Sequence, residues 1–438
     1  MDNKKKSGKF NKVKLIVIAA FAVLLISVYL ISVYATVYLH NRIVDNLKSR
    51  MVASNPGLVF EEHEFDSEGL FSTGRNFIVR TADGTLGFNV IIQSNFSVPF
   101  IEKSEIFIHH PTGSMIKCDG CDFQSFAAGG ELDISYISNS YNAVIGVPSF
   151  TTGKKISVQI NSGTVAFSGD FASRKTTVDL NLQGVKYFDS NTNVRKSLEN
   201  ISGTLTVSLQ DNRFFIQTDR LNIGKFYVNN RLYRDKLVID GINLKVTNEN
   251  SVTSGRHINS VLSASARTLS YDNEDYDSEL DVNRVGVLLK LNNVDQTCYS
   301  ALGEIFFNLY DFLHEDGHKF NYDLFKYFMN NGSSIDIDHI LLVSTQSMGK
   351  FEIEKGSRIS FSGNSKLSSK ERTALGLKFK VTEQFLNDFP NHLRIKNLFI
   401  TENGWLVHGS TDSKDEYSTK LTIDNGQCTL GEYFLSDC

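Results

Sequence analysis

A long uncharged segment near the N-terminus constrains the fold of this chain more than any other feature. It runs from Leu15 to Leu39 and contains neither proline nor glycine. Since about 20 apolar residues suffice to cross the hydrocarbon core of a bilayer, the segment predicts a transmembrane helix. Several lysines precede it, and such a cationic flank remains on the cytoplasmic side while the rest of the chain is translocated. These lysines are Lys4, Lys5, Lys6, Lys9, Lys12 and Lys14.

The alternative to an uncleaved anchor is a cleaved signal peptide, for which Val33-Tyr34-Ala35 would serve as the small-residue cleavage site. The apolar region of a signal peptide is only about 7–15 residues long, which favours the anchor. Apolar residues continue at helical spacing after Leu39 until Pro56 and Gly57. The sequence therefore predicts a helical extension over residues 40–56, beyond the membrane.

From residue 57 to residue 294 the chain alternates apolar and polar residues, with Gly, Asn, Asp and Ser between the alternating stretches. One example is Ile156, Val158 and Ile160. This period of two predicts antiparallel strands with one apolar face, which would form a large extended or curved sheet. A short helical interruption is expected near residues 190–198.

The pattern changes at Asp295, where apolar residues recur at helical spacing on both sides of an Asp-Gly step at Asp316 and Gly317. A helical hairpin is predicted near residues 297–330. Strands resume at Ile335, a short helix capped by Thr382 follows, and a strand at Tyr417 ends the pattern. The predicted fold class is α+β, mostly antiparallel β. The predicted segments are a cytoplasmic tail (1–14), the membrane helix (15–39), its extension (40–56), a β-rich region (57–294) and a mixed region (295–438).

The composition argues against nucleic-acid binding, and the predicted export of the chain allows its cysteines to form disulfides. The net charge is −4, charged residues make up 21% of the chain, and no basic block follows the anchor. Nucleic-acid binding is therefore not expected. An exported domain meets an oxidising compartment, so Cys118 can pair with Cys121 and Cys428 with Cys438, which leaves Cys298 unpaired.

Four stretches, taken in order after an N-terminal anchor, resemble the YdgA-like family of bacterial inner-membrane-anchored proteins. They are FDSEGLFS (65–72), LKLNNVDQTCYSALGEIF (289–306), FMNNGSSIDIDHI (328–340) and YSTKLTIDNGQCTL (417–430). The segment Ile108-His109-His110-Pro111 departs from the family's His-Gly-Pro turn. The resemblance implies a bacterial inner-membrane protein with its C-terminal domain in the periplasm, in a family that has no assigned active site. No cofactor is predicted.

The sharpest chemical motif is His314-Glu315-Asp316-Gly317-His318, which fits the zinc-protease pattern of two histidines one helical turn apart. Gly317 lies between the two histidines, where the periodicity of one helix ends and the next begins, so an inter-helix turn is favoured. The candidates for a third zinc ligand are Asp336, Asp338 and Glu352.

Two further clusters contain possible metal ligands, but a purely structural role explains each of them. His109 and His110 precede Cys118 and Cys121, a set that can bind zinc. Adjacent histidines on a strand point to opposite faces, and Asp-Gly between the cysteines predicts a hairpin turn, so a disulfide or structural thiols are favoured over metal or redox chemistry. The acidic residues 272–277 lack the glycine and distal glutamate of a calcium loop, and a solvated turn is favoured.

These observations leave three hypotheses from different classes. The first is a non-enzymatic envelope protein whose tethered sheet binds a partner, either another protein, a second copy of the chain or a lipid. The second is a lipid conduit, as in AsmA-like proteins, which requires that the apolar face of the sheet be open. The third is a zinc-dependent hydrolase that uses His314 and His318.

Overall fold

A computed structural model describes most of the chain. The described residues are 23–42, 44–45, 48, 58–63, 69, 71–81, 87–109, 127–152, 156–173, 175–210, 213–231, 234–249, 257–274, 278–295, 297–299, 301–303, 305, 322–388, 407–408, 416–431 and 433–437.

Contacts divide the chain into two compact units. Unit 1 comprises residues 1–118, 123–147 and 166–173, and unit 2 comprises residues 119–122, 148–165 and 174–438. The change of sequence pattern at Asp295 falls inside unit 2.

Unit 1 consists of one long helix and a meander of antiparallel strands. The helix Val23–Arg42 is long and apolar enough to cross a membrane. Val44, Asp45 and Lys48 are also helical. Most of the predicted extension over residues 40–56 lies outside the described residues, so it stays a prediction. Each strand from β1 to β6 pairs with the next one along the chain. The strands are β1 (Leu58–His63), β2 (Ser72–Thr81), β3 (Gly87–Val98), β4 (Ile101–His109), β5 (Ala127–Ser135) and β6 (Ser140–Val147), together with residues 166–170 of β9 (Gly163–Asp170).

Unit 2 is an antiparallel sheet with long central strands. Its pairing runs from β7 through β8, β10, β11, β12 and β13 to β14 and β15, which both pair with β13 and β16. From β16 it continues through β17, β18 and β19 to β20, and then through β22 and β23 to β24, with β21 paired to β22. The strands are β7 (Phe150–Thr152), β8 (Ile156–Ile160), β10 (Lys175–Asp189), β11 (Val194–Gln210), β12 (Arg213–Asn230), β13 (Asp235–Glu249), β14 (Ile258–Ala266), β15 (Thr268–Asn273), β16 (Ser278–Val294), β17 (Ser334–Ser344), β18 (Lys350–Ile353), β19 (Ser357–Phe361), β20 (Thr373–Thr382), β21 (Val407–His408), β22 (Glu416–Asp424), β23 (Gln427–Leu430) and β24 (Tyr433–Asp437).

The register of these long strands places their alternating apolar residues in continuous rows on one face, because directly paired residues point to the same side of a sheet. One row runs across β10 to β17. Its members are Leu180, Gly203, Leu221, Leu244, Ala264, Val287 and Ile340.

Helices cover one part of unit 2 and form its main core with β16, β17 and β19. Residues 297–299 and 301–303 are helical, a 3-10 turn spans Tyr322–Phe325, and an α-helix spans Lys326–Asn331. Phe328, Leu291 and Ala301 are completely buried in this core. Residues 306–321, which would join the two helical segments, lie outside the described residues, so the hairpin stays a prediction.

The broad α+β class with a large antiparallel sheet is confirmed, and so is the N-cap at Thr382. Its hydroxyl accepts the amide of Phe385 at 3.3 Å, at the start of the helix Glu383–Asp388. The helical interruption predicted near residues 190–198 is wrong. There the chain makes a tight turn closed by Asn191, whose amide donates to Asp189, and β11 begins at Val194.

Candidate functional site

The N-terminal helix of unit 1 has one face that packs against the sheet. Val33, Thr36 and His40 are almost completely buried, and they follow Tyr29 at spacings of four, three and four residues. Residues at this spacing share one side of a helix. Elsewhere on the helix Ile31 and other large apolar side chains are exposed, namely Val23, Leu24, Leu25, Ile26, Tyr34 and Tyr38. The helix therefore packs against its own sheet on one side and exposes large apolar side chains on its other sides.

His40, at the end of the buried helix face, contacts the buried carboxylate of Glu102 on β4. Glu102 Oε2 accepts hydrogen bonds from His40 Nδ1 at 2.9 Å and from the Tyr136 hydroxyl at 2.6 Å. Its Oε1 accepts hydrogen bonds from the hydroxyls of Ser94 at 2.9 Å and Ser104 at 2.6 Å. We call these five residues the Glu102 cluster. Because a buried charge is costly unless it is hydrogen-bonded, this shell makes an ionised glutamate tolerable there.

The electrostatics of the cluster follow from these contacts. Burial raises the pKa of Glu102, but the hydrogen bond and charge of His40, with the hydroxyls of Ser104 and Tyr136, outweigh burial and hold the pKa below its ordinary value. Burial and the neighbouring carboxylate raise the pKa of Tyr136, so its hydroxyl remains a donor. The other ring nitrogen of His40, Nε2, is buried and has no hydrogen-bond partner among the described residues.

The turn between β3 and β4 makes a second contact with the same helix face. Phe100 has a φ of 60°, a left-handed conformation that costs a bulky residue roughly 1–3 kcal/mol. Its amide donates to the Thr36 hydroxyl at 2.8 Å, and its carbonyl accepts the amide of Tyr136 at 2.9 Å. These two hydrogen bonds hold the turn in its strained form against the helix.

Beyond the buried part, the helix meets the sheet through Arg75 on β2, whose side chain is 14% exposed. Arg75 donates to Asn41 at 2.8 Å, to Asp45 at 3.1 Å and to Glu62 at 2.8 Å. Lys48 also pairs with Glu62, at 3.0 Å. Because the carboxylates of Asp45 and Glu62 are 64% and 35% exposed, water screens these ion pairs. We infer that the Glu102 cluster, whose carboxylate is completely buried, is the stronger of the two attachments.

In unit 2, two of the stretches that carry the family resemblance meet at the start and end of helices. Asp295 accepts the amide of Thr297 at 2.9 Å and so caps the helical segment that follows β16. Asn293 has a φ of 59°, and its side-chain amide donates to the carbonyls of Asn331 and Gly332 at 2.6 and 3.2 Å. Asn293 thereby satisfies carbonyls at the C-terminus of the helix Lys326–Asn331.

The side-chain amide of Asn331 ties this junction together. Its nitrogen lies 3.2 Å from Asp295 Oδ1, 3.0 Å from Thr297 Oγ1 and 3.3 Å from the sulfur of Cys298, and its two N–H groups are shared among these acceptors and the carbonyl of Tyr327 at 3.0 Å. We call Asn331, Asp295, Thr297 and Cys298 the Asn331 cluster. Cys298 is a free thiol that is completely buried, and burial raises its pKa. Since the thiolate is the reactive form, the arrangement favours a structural role over nucleophilic catalysis.

A groove of about 360 Å³ lies on the sheet of unit 2. Gln159, Lys186, Ser197 and Tyr227 are paired across β8, β10, β11 and β12 and share one face. Beside them the guanidinium of Arg195 lies 5.2 Å from the ring centroid of Phe188 on the same lining. Lys196 and the carboxylate of Glu199 also belong to the lining. Three cations, one carboxylate and aromatic rings in a shallow groove suit a ligand with an anionic group and an apolar part.

The predicted zinc and calcium residues do not come together within the described part of the chain. His314 and His318 lie outside it. Each of the three candidate third ligands already has a side-chain partner: Asp336 meets Arg358 at 3.3 Å, Asp338 meets Lys290 at 3.1 Å, and Glu352 meets His339 Nδ1 at 3.2 Å. No group of three metal-binding side chains occurs among the described residues. Of the acidic stretch, Asp272 lies in β15, and residues 275–277 are outside the described set.

The predicted disulfides fall largely outside the described residues, which exclude Cys118, Cys121 and Cys438. Cys428 on β23 is disulfide-bonded, and its partner lies outside the described ranges, so the pairing with Cys438 stays a prediction. His109 on β4 is hydrogen-bonded to Asn89 at 3.1 Å. His110 is not among the described residues.

Sequence reasoning missed the Glu102 cluster, although one signal was present. Thr36 and His40 are polar residues at helical spacing at the end of an apolar helix, which indicates a partner other than lipid. No protein-family model, no curated protein and no solved structure matches this chain.

Proposed function

We propose that this chain is a non-enzymatic, membrane-anchored cell-envelope protein of the YdgA-like family, whose β-rich region binds a protein or lipid partner on the periplasmic side of the inner membrane. The supporting observation is the two-sided N-terminal helix. Its apolar residues face outward, while Val33, Thr36 and His40 fix it to its own sheet. A cleaved signal peptide would have no use for such a buried attachment.

Two features support the non-enzymatic part of the proposal. The carboxylate of Glu102 already accepts four hydrogen bonds within the protein, so it has no acceptor position left for a substrate. The thiol of Cys298 is buried and has a raised pKa. Both groups, which would otherwise rank as candidate acid, base or nucleophile, serve packing instead.

Fractionation of cells that produce the full chain tests the anchor and its orientation. We expect the protein to resist alkaline carbonate extraction and to be digested only when protease reaches the periplasmic side. The double variant L24K/I26K places two charges in the apolar segment and should release the protein from the membrane, since a lysine at the centre of a span costs roughly 2.5–3.5 kcal/mol. The control is D179K, on an exposed position of β10. Extraction of the unaltered chain by carbonate would overturn the proposal.

A lipid conduit is a second candidate, and the apolar face of the unit 2 sheet favours it. Leu180, Leu205, Leu244 and Val246 lie on this face and are only half-buried. The proposal requires an extended or curved sheet whose apolar rows shield acyl chains. Phospholipid should then co-purify with the full chain and be lost in L205D, but retained in the control T206D, whose side chain lies on the opposite face. Equal lipid content in both variants would remove this candidate.

A further inference from the structure

Three turns of unit 1 present apolar side chains at one end of its sheet. The register brings these turns together, because Ser72 pairs with Asn95 and Ile101 pairs both with Val98 and with Ser135. Phe71 and Ile137 lie in two of these turns and Val98 is the last residue of β3, directly before the third; they are 37%, 77% and 50% exposed, respectively. We call these three residues the apolar edge. Exposed large apolar groups that cluster in this way mark an interaction surface.

The apolar edge is continuous with the N-terminal helix. The hydroxyl of Tyr29 donates to the carbonyl of Ser97 at 2.5 Å, and its ring lies 6.1 Å from the ring of Phe71. The helix exposes Leu30 and Ile31 next to this contact. The apolar surface of the helix therefore extends sideways onto the turns of the sheet.

The position of Tyr29 along the helix sets the depth of the edge. Of the predicted membrane helix (15–39), about 20 residues counted from Leu15 are enough to cross the hydrocarbon core, so the outer boundary of that core falls close to Tyr34 and the remaining residues pass through the interfacial layer. Tyr29 is five residues before Tyr34, roughly 7 Å inside this boundary at the helical rise of 1.5 Å per residue. The turns that contact Tyr29 thus lie in the outer part of the hydrocarbon core, next to the interface where aromatic side chains are enriched.

The turn between β3 and β4 is also suited to an apolar environment by its backbone. Polar backbone groups that lack partners are costly in lipid. Here the amide of Ser97 donates to Asn95 Oδ1 at 2.9 Å and its carbonyl accepts Tyr29, while Pro99 has no amide proton and Phe100 is paired on both sides. Neither this turn (97–100) nor the next one (136–139) contains a charged residue.

We propose that the apolar edge is inserted in the outer leaflet of the membrane, where the acyl chains meet the interfacial layer, so that the sheet of unit 1 rests on lipid as well as on its helix. The inference relies on the proposed function, because it requires that the N-terminal helix spans the bilayer. The occupant of the edge is the acyl and glycerol region of phospholipids, which the continuity with the exposed helix surface supports. A protein partner or a second copy of the chain on the edge is an alternative outcome of the test.

Quenching of tryptophan fluorescence by brominated lipid tests the insertion. The full chain would be reconstituted in vesicles of phosphatidylethanolamine and phosphatidylglycerol, with and without bromine on the upper acyl carbons. V98W and I137W each add one tryptophan at an exposed position, and the emission of the parent chain, whose single tryptophan is Trp405, is subtracted. The matched control is F107W, since Phe107 is also exposed but lies six residues along β4 from Ile101, about 20 Å away.

We expect V98W and I137W to lose emission in brominated vesicles, and F107W to keep it. Flotation of the same samples separates the two levels of the argument. If the protein floats with the vesicles but V98W and I137W are not quenched, the insertion is wrong while the anchor stands, and a second copy or a protein would cover the edge. If F107W is quenched equally, the insertion at one end is also wrong. Failure to float would overturn the anchor itself.

Discussion

Each unit of this protein joins a helix to a sheet through buried polar groups, but the two junctions differ in chemistry. The Glu102 cluster centres on an ionised carboxylate that receives four hydrogen bonds, one of them from a helix residue, His40. The Asn331 cluster centres on a neutral amide whose two N–H groups are shared among Asp295, Thr297, Cys298 and the carbonyl of Tyr327. The first joins residues that are far apart in the sequence, and the second organises the ends of two neighbouring short helices.

The difference follows from what surrounds each helix. The helical segments of unit 2 lie on an apolar core that includes Leu291 and Phe328. This core already holds the segments in place, and the hydrogen bonds of the Asn331 cluster fix the orientation of their ends. The N-terminal helix keeps most of its apolar side chains away from the sheet. Its attachment therefore depends on few groups, and we expect it to be more sensitive to single substitutions.

The largest expected effect is that of E102A. Removal of one partner from a buried, hydrogen-bonded charge pair costs roughly 3–5 kcal/mol, and here it also leaves the hydroxyls of Ser94, Ser104 and Tyr136 without their acceptor. Amide hydrogen exchange of residues 94–104 in detergent micelles should report the loosened junction. The matched control is E105A on the same strand, where the side chain is exposed. Unchanged exchange in E102A would show that packing of Val33 alone holds the helix.

Acidification should weaken the same junction, by less than E102A does. The pKa of Glu102 is lowered below its ordinary value of 4.5, so its contribution to stability is fully present above pH 4.5 and is lost as the pH falls through the folded pKa. Exchange of residues 94–104 should therefore speed up below pH 4.5 after correction for intrinsic rates. In E102Q this acid-dependent component should disappear. An equal response in both proteins would point to another titrating group.

N331A should destabilise the unit 2 junction by roughly 1–3 kcal/mol, the cost of leaving buried polar groups without a partner. The neighbouring N330A is the control, because Asn330 is exposed on the same helix. Exchange of residues 326–335 gives the readout. A larger effect here than in E102A would reverse the ranking of the two junctions.

The smallest effect is expected for N293G. Glycine adopts the φ of 59° without strain, so only the hydrogen bonds to the carbonyls of Asn331 and Gly332 are lost, about 0.5–1.5 kcal/mol. N293A should cost more, since alanine also disfavours the left-handed conformation by roughly 1–2 kcal/mol. Both variants are compared by thermal unfolding of the full chain in micelles. If the two destabilise equally, backbone conformation at this position contributes nothing.

The sequence predicted what depends on local pattern. Uncharged length identified the N-terminal helix, alternation identified the strands, and a threonine before an apolar helical repeat identified the cap at Thr382, because each of these signals lies within a few neighbouring residues. The polar residues Asn191 and Thr192 misled the reading of residues 190–198, because they have the composition of a helix start. They belong to a tight turn between strands, in which Asn193 has a φ of 53°.

The Glu102 cluster was beyond such reasoning for a physical reason. Its members His40, Ser94 and Tyr136 come from the helix and from strands whose pairing brings them to one point, and no spacing in the sequence records that pairing. By their polarity, Glu102 and Ser104 would be assigned to the solvent side of β4, and the sequence pattern could not show that the helix covers this side. The same holds for Asn293 and Asn331, which meet only because β16 and β17 are paired.

The separation of 62 residues between His40 and Glu102 has a consequence for biogenesis. Chains grow at roughly 5–20 residues per second, so the helix is made several seconds before its acceptor. In the proposed membrane-anchored protein, the apolar segment alone would retain the nascent chain during that interval, and the helix would be free to rotate about its own axis. The arrival of β4 would then fix which side of the helix faces lipid, because Glu102 accepts the hydrogen bond of His40.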